Sequence, residues 1–120
     1  MRGGLAAALV LAALPAFGQA APAGWVPRAV AVVAALDKMR AQPTTLSIPV
    51  GQSAQFRTLT IAVRSCLVRP PDQPGDATAF LDVTDAQPSD PSFHGWMLAG
   101  EPGLSMLQSP LYDVRLLACR

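Results

Sequence analysis

The chain has 120 residues, with nine Lys and Arg against eight Asp and Glu and a formal net charge of +1. A chain so close to neutral lacks the basic surface that nucleic-acid binding requires, and it offers no electrostatic reason to bind an anionic membrane. Its length suits one domain around one hydrophobic core.

The first twenty residues have the layout of a secretory signal peptide. A basic start at Arg2 is followed by an apolar run over residues 5–14, and small residues end the segment. This order is typical of an export signal, and the apolar run is shorter than the roughly 18 residues that a membrane span needs. We therefore predict a signal peptide over residues 1–20, cut after Ala20, export into a bacterial periplasm, and no integral membrane span in the mature chain.

The mature chain is predicted to begin with an irregular arm. Residues 21–28 contain two prolines, which oppose regular structure. From there we expect a single β domain over residues 29–120. Residues 29–36 are short and rich in valine, which favours a strand. Residues 44–50 alternate apolar and polar side chains, and Pro49 points to an edge strand or a strand end.

The strongest predicted strand covers residues 56–68, where apolar side chains recur at every second position. The later predicted elements are a loop over 70–78, a strand over 79–85, a loop over 86–92, a strand over 93–99, a helical turn over 104–108 and a strand over 111–119. Short strands with Pro- and Gly-rich loops between them predict a mainly β fold, either a small antiparallel β-sandwich or a barrel-like domain.

Cys66 and Cys119 are the two cysteines of the chain. An even count in an exported protein predicts a disulfide, worth roughly 4 kcal/mol for a loop of about 50 residues. A redox pair would show Cys-x-x-Cys, which is absent, and two cysteines with one distant histidine make a poor metal site. Strand parity puts Arg64 on the face of Cys66 and Arg115 on the face of Cys119. We therefore expect the closing strand near the 56–68 strand, with the bond on the less buried face.

Candidate catalytic residues are few. His94 is the single histidine, and no motif ties it to a nucleophile. Asp82 and Asp85 lie three residues apart on a predicted strand, so they point to opposite faces and form no carboxylate pair. We predict no catalytic residue, no metal site and no cofactor.

The two tryptophans receive different predictions. Trp96 lies in an apolar run and is expected in the core. Trp25 lies in the arm, where a tryptophan suits contact with a partner. Together with Pro70, Pro71 and Asp72 of the first loop it forms the predicted partner surface, to which the 86–92 loop also contributes, because loops on a rigid scaffold often carry function.

Several blocks of sequence, taken in order, resemble a known family. The blocks are Leu36-Asp37-Lys38, Cys66 to Asp72, Ala79-Phe80-Leu81, Phe93 to Ala99, Pro102-Gly103-Leu104, Pro110, and Tyr112-Asp113-Val114 with Cys119. They resemble the small exported alphaproteobacterial proteins grouped as domain of unknown function 2155. The resemblance implies a periplasmic or envelope-associated protein whose paired cysteines match Cys66 and Cys119, and it implies no activity.

The chain departs from the family pattern near its end. Family members tend to carry a Glu-His pair before the proline that matches Pro110, where this chain has Gln108 and Ser109, and often a Trp where it has Arg115. If the family uses that pair as acid and base, this member lacks it and should be inactive. We interpret these positions as structural.

These observations favour a non-enzymatic periplasmic domain that binds or scaffolds an envelope protein or a cell-wall component. One alternative is a hydrolase of cell-wall or glycan material, which needs His94 or Asp113 beside a nucleophile or a second carboxylate. Another is a protease-inhibitor-like module that presents the 70–78 loop as bait.

Overall fold

The structure is a computed structural model, and it describes residues 23–120. The predicted signal peptide, residues 1–20 with its cut after Ala20, lies outside the described residues, as do the first two residues of the predicted arm. Within residues 23–120, no helix has the length and apolar character to cross a membrane.

Two antiparallel sheets face each other across the core. The five-stranded sheet contains β1 (Val26–Pro27), β4 (Ser53–Phe56), β5 (Leu59–Val68), β6 (Ala77–Asp85) and β7 (Phe93–Leu98). The three-stranded sheet contains β2 (Val30–Asp37), β3 (Gln42–Pro49) and β8 (Tyr112–Cys119). A short 3₁₀ turn, Pro102–Leu104, lies between β7 and β8. The prediction of a mainly β, antiparallel sandwich with one disulfide is confirmed.

Strand β5 organises the larger sheet. Strand β6 pairs along one edge of β5, and β7 pairs along the far edge of β6. Strands β1 and β4 share the other edge of β5, one at each end. In the smaller sheet, β2 lies between β3 and β8. Strand β3 is thus an edge strand that ends at Pro49, as predicted from a residue without an N–H to donate.

The predicted strand over residues 56–68 is wrong at its start, because a hairpin turn interrupts it. Strand β4 ends at Phe56, the chain turns at Arg57 and Thr58, and β5 begins at Leu59. Arg57 has a φ of 53°, the left-handed conformation that a tight hairpin turn demands. Arginine is not among the residues that mark such turns, so the sequence does not announce this one.

A β-bulge on β5 changes the face on which Cys66 lies. Val63 and Ser65 both pair with β6, while Arg64 between them is an extra residue without a partner. One extra residue shifts the two-residue period of a strand by one position. Cys66 therefore points into the core, where it is 1% exposed.

A second bulge has the same effect on β8. Leu117 has no partner on β2, although Leu116 and Ala118 pair with neighbouring residues there, and Cys119 points inward. The disulfide joins β5 to β8 across the sandwich, with 5.6 Å between the Cα atoms. The predicted disulfide is confirmed, and β5 and β8 lie next to each other across the core. The prediction that the bond lies on the less buried face is wrong. It assumed regular alternation along both strands, and each bulge turns the following cysteine to the opposite face.

The core between the sheets consists of small and branched side chains. Fully buried members include Ala31, Val33, Ile48, Leu59, Ile61, Val63, Leu81, Val83, Leu107 and Val114. Tyr112 closes one end of this core: its ring packs edge-on against Phe56, and its hydroxyl lies 3.1 Å from that of Thr58. Tyr112 thus forms a hydrogen-bonded corner at the start of β8.

Two local predictions near β7 are wrong. Trp96 is half-buried outside the core, because its neighbour Met97 takes the inward position on β7. The helical turn predicted over 104–108 forms earlier, at Pro102–Leu104, and leaves Leu104 69% exposed.

Candidate functional site

The side of the five-stranded sheet that faces away from the core, which we call the outer face, gathers the chemically capable side chains. On this face β6 carries Phe80 and Asp82, and β7 carries His94 and Trp96. The register pairs Phe80 with Trp96 and Asp82 with His94. Directly opposed side chains of antiparallel strands have Cβ atoms about 5 Å apart, so the register alone brings each pair into contact.

Arg64 joins this group because of the bulge on β5. Its Nε donates a hydrogen bond to Oδ2 of Asp82 at 2.6 Å, while the side chain remains 65% exposed. Bulges commonly re-aim a side chain next to a functional site. Here the bulge directs a guanidinium at the acid on the neighbouring strand.

Asp82 also fixes the orientation of His94. Nδ1 of His94 lies 2.6 Å from Oδ1 of Asp82. A carboxylate can only accept, so Nδ1 is the donor, and Nε2 is the ring nitrogen that faces away from Asp82. The hydrogen bond from His94, and then that from Arg64, hold the pKa of Asp82 below its ordinary value of 3.8. We call Arg64, Asp82 and His94 the outer-face triad.

An aromatic pair lies beside the triad. Phe80 and Trp96 pack edge to face, with ring centres 5.4 Å apart and planes at 85°. Ser65, Phe80 and the triad line an open depression of about 520 Å³. This volume falls within the roughly 300–1,000 Å³ of sites that bind small molecules.

The triad contains an oriented base, and no nucleophile of residues 23–120 is hydrogen-bonded to it. An Asp that holds the Nδ1 of a His is the arrangement found beside catalytic serines. Within residues 23–120, however, the only side-chain hydrogen bonds of the triad are those between its own members. The same residues contain no group of three or more His, Cys, Asp or Glu side chains able to hold a metal ion. The arrangement can therefore bind a ligand through donors, an acceptor and an aromatic surface.

Asp113, the other acid considered for hydrolysis, lies on the opposite side of the sandwich. It pairs with Leu36 of β2 and forms an ion pair with Arg115 at 2.9 Å, on the exposed side of the three-stranded sheet. The core separates this side from the outer face that carries His94. The structure does not bring the two residues together.

Trp25 packs against the base of the first loop. The guanidinium carbon of Arg69 lies 5.3 Å from the centre of the Trp25 ring, a distance that suits a cation–π contact. Arg69 also pairs with Asp76 at 3.5 Å and donates to the carbonyl of Pro74. These bonds close residues 70–76 on themselves as a compact loop, and the last two residues of the predicted 70–78 loop belong to β6.

The predicted partner surface is only partly contiguous. Pro70 is half-buried close to Trp25, whereas Pro71 and Asp72 are exposed at the tip of the loop. The 86–92 loop leaves the other end of β6, so it lies apart from these residues. The surface around Trp25 and the first loop stays a prediction.

The 86–92 loop is next to a pair of acids. The backbone N–H of Gln87 donates to Asp85 at 3.0 Å, and this bond lowers the pKa of Asp85. Partial desolvation, and then the hydrogen bond with Asp85, raise the pKa of Asp90. Two acids without further oxygen ligands do not make a cation site.

Ser109, one of the positions that depart from the family pattern, stabilises the start of β8. Its hydroxyl accepts hydrogen bonds from the backbone N–H groups of Leu111 and Tyr112. Its carbonyl accepts a 2.8 Å hydrogen bond from Nζ of Lys38. These contacts support a structural role for this position.

Sequence reasoning missed the triad as a group. The inward positions of Leu81 and Val83 place Asp82 outward, and this alternation is the one feature of the sequence that indicates where Asp82 lies. Nothing in the 86–92 loop fixes the register that sets His94 opposite Asp82, and no residue marks the bulge at Arg64.

Comparison with known proteins gives one match. The model of a family described as "Uncharacterized protein conserved in bacteria (DUF2155)" matches residues 31–119. No curated protein and no solved structure matches the chain.

Proposed function

The chain belongs to the bacterial DUF2155 family, and from this premise we propose that it is an exported, non-enzymatic domain that binds or scaffolds a component of the cell envelope. The site is the outer face of the five-stranded sheet. The partner is an envelope protein or a cell-wall component in the periplasm of an alphaproteobacterium.

One observation carries the proposal: an open depression with a hydrogen-bonded triad and an aromatic pair, in which no nucleophile of residues 23–120 is hydrogen-bonded to His94. Binding sites place a few polar groups around apolar surface to fix the orientation of a ligand. The depression has this composition, with Phe80 beside Arg64, Asp82 and His94. Catalysis would need a nucleophile within hydrogen-bond reach of the base.

Export is supported by two independent features. The first twenty residues have the layout of a signal peptide. The buried Cys66–Cys119 disulfide suits an oxidising compartment, because cytosolic thiols are kept reduced.

The proposed surface includes Trp25 at one end. Trp25 directly precedes β1, which pairs with the end of β5, and Arg69 just after β5 contacts its ring. The proposed surface thus has Trp25 beside the first loop and Trp96 beside the triad.

Affinity capture tests the proposal. The chain, exported and oxidised in its host and carrying an affinity tag, is recovered from periplasm and from solubilised envelope, and bound material is identified by mass spectrometry. We expect an envelope protein or cell-wall fragment that is lost with Trp96→Ala and reduced with Trp25→Ala. Arg115→Ala is the control, because Arg115 is exposed on the opposite side of the sandwich. A partner retained by Trp96→Ala and lost with Arg115→Ala would contradict the assigned face.

The bond between Asp82 and His94 is the one observation that favours the hydrolase alternative. An oriented imidazole can activate water as a general base. Incubation of the oxidised chain with purified cell wall would reveal release of soluble fragments. Release that His94→Gln abolishes would replace binding by hydrolysis as the function of this site.

A further inference from the structure

We propose that the outer-face depression recognises a carboxylate-bearing sugar of a cell-envelope glycan. This inference rests on the proposed function and names the class of ligand that the same site takes. Three parts of the ligand correspond to three parts of the site: an acid, polar ring substituents and an apolar ring face.

The carboxylate of the ligand binds the guanidinium of Arg64. Within residues 23–120, only Nε of this guanidinium makes a hydrogen bond, to Asp82, and the side chain is 65% exposed. Its two terminal nitrogens form an end-on fork that can bind a carboxylate in a bidentate manner. Asp82 holds the fork in place, since it accepts from both neighbours at 2.6 Å.

The hydroxyl and amide groups of a sugar correspond to His94 and Ser65. Because Nδ1 of His94 donates to Asp82, Nε2 is the nitrogen left for a ligand, and the ring is 54% exposed. Ser65 supplies a hydroxyl that both donates and accepts. Hydrogen-bonding groups beside the Arg64 guanidinium suit a ligand with one carboxylate and several hydroxyls.

The apolar face of the ring corresponds to the aromatic pair. Phe80 lines the depression, and the half-buried Trp96 packs edge to face against Phe80 from the neighbouring strand. Aromatic faces carry negative charge density, so the slightly positive C–H groups on one face of a pyranose stack against them. The edge-to-face pair holds the two rings in a fixed geometry before any ligand binds.

The position of the depression argues for a side-chain-recognised ligand and against an extended peptide. A peptide strand binds by pairing with a free sheet edge. The depression lies over the middle of the sheet, where β6 already pairs with β5 on one side and β7 on the other. Within residues 23–120 the sheet order ends at β7, so the nearest unpaired ladder edge is the outer edge of β7. A ligand seated over β6 itself is therefore recognised by side chains, as sugars are.

Titration with a matched pair of sugars tests the proposal. N-acetylmuramic acid and N-acetylglucosamine differ by the lactyl ether that carries the carboxylate. Binding is followed by amide chemical shifts of the oxidised full chain and by the fluorescence of a Trp25→Phe variant, in which Trp96 is the remaining tryptophan. We expect N-acetylmuramic acid to bind at least about tenfold more tightly, the factor that one charge-assisted hydrogen-bond pair supplies.

The affected residues must coincide with the site. Shifts are expected around Ser65, Phe80, Asp82 and His94, together with a change in Trp96 fluorescence. Arg64→Gln, which keeps the bulged position and the side-chain stem, should weaken binding of the acidic sugar about tenfold and leave the weak binding of the neutral sugar unchanged. Arg115→Gln should change neither.

Each contrary result contradicts a specific part of the proposal. Equal affinity for both sugars, or an undiminished affinity in a folded Arg64→Gln variant, overturns recognition of the carboxylate. If N-acetylmuramic acid does not bind, either as the free sugar or within a soluble disaccharide, the proposal that the ligand is a carboxylate-bearing sugar is wrong. If envelope capture still depends on Trp96 in that case, the proposed binding function stands while this inference fails. If glycan binds and capture yields nothing, the inference stands and the scaffold function fails.

Discussion

Asp82 determines how the outer-face depression is built, because it is the shared acceptor of Arg64 and His94. Its side chain is 20% exposed, whereas its two partners are more than half exposed. The acid is therefore the fixed centre, and the partners are the groups that a ligand meets. Without the carboxylate, neither the guanidinium fork nor the imidazole tautomer is held.

Replacement of Asp82 should change how stability depends on pH. The pKa of Asp82 is lowered in the folded state, first by the hydrogen bond from His94 and then by that from Arg64. A lowered pKa stabilises the fold above the ordinary value of 3.8, and this contribution disappears as pH falls below that value through the folded-state pKa. We expect Asp82→Asn to lose on the order of 1 kcal/mol at neutral pH, because the partners are screened by solvent.

The measurement is urea unfolding of both proteins between pH 7 and pH 2.5. The curve for Asp82→Asn should be flatter below pH 4, and the two curves should converge at the acid end. Asp113→Asn removes one carboxylate from the opposite side and controls for net charge. Parallel curves for wild type and Asp82→Asn would show that the triad contributes nothing to acid sensitivity.

The turn between β2 and β3 holds Ala41 in a strained backbone conformation. Its φ is 56°, and its N–H bonds to the carbonyl of Asp37 at 3.0 Å. A side chain with a Cβ pays about 1–2 kcal/mol in this left-handed region, whereas glycine adds somewhat less than that in unfolded-chain entropy. Ala41→Gly should therefore raise the free energy of unfolding by about 0.5–1 kcal/mol.

Chemical unfolding at pH 7 decides this, with Ala86→Gly as the matched control. Ala86 is also exposed in a loop, but its φ is not positive, so glycine there should destabilise slightly. Equal destabilisation by both substitutions would mean that the turn carries no strain at Ala41.

At the scale of the elements, the two bulges decide which side chains reach the core. Each bulge lies within two residues of a cysteine, Arg64 before Cys66 and Leu117 before Cys119. In each strand the extra residue is exposed, and the residues on both sides of it keep their inward alternation. The bulge on β5 thus serves two purposes: it sets the disulfide in the core and supplies the guanidinium of the triad.

Deletion of Arg64 should therefore be tolerated. Without the extra residue, Val63, Ser65 and Cys66 form a regular strand in which Val63 and Cys66 both still face inward. We expect a folded chain with an intact disulfide, destabilised by about 1–3 kcal/mol, and with the triad lost. Deletion of Ala62 in the regular part of β5 is the control, because it turns the residues on one side of it to the wrong face.

Thiol alkylation followed by mass spectrometry reports the outcome. The Arg64 deletion should yield no free thiol in the oxidised protein, whereas the Ala62 deletion should yield two. Free thiols in the Arg64 deletion would show that the bulge itself is needed to bring Cys66 to Cys119.

The elements also show what the sequence could predict. Strands with unbroken alternation, such as β6 around Leu81 and Val83, were predictable because their pattern needs no knowledge of the partner strand. The bulges were not, since a bulge is defined by the register with a neighbouring strand. The triad depends on one bulge and on the β6–β7 register across the 86–92 loop. The sequence therefore identifies its three residues but does not predict that they lie together. Trp96 was misplaced because Met97, the less bulky neighbour, fills the core.

For the whole molecule, the sandwich separates two exposed sides with different chemistry. One side carries the triad and the aromatic pair, and the other carries the Asp113–Arg115 ion pair beside Leu36. The core lies between the two sides, and within the described residues the disulfide is the covalent bond between side chains that joins the two sheets. The sheet that carries the binding face contributes Cys66, and the other sheet contributes Cys119. The stability of the binding face therefore depends on both sheets.

Loss of this bond should affect the entire fold. The cysteines are 53 residues apart, and the chain-entropy relation gives about 4 kcal/mol for closing such a loop. A small domain has only about 5–15 kcal/mol in total, so a Cys66→Ala, Cys119→Ala chain should be marginally folded. Urea unfolding of the oxidised, reduced and doubly substituted chains measures the difference, and the reduced and substituted chains should lose stability by similar amounts. Since β5 and β8 lie in different sheets, a loss well under 1 kcal/mol would show that packing alone holds the sandwich. In that case the chain would not need an oxidising compartment to fold, and the disulfide would no longer support export to the periplasm.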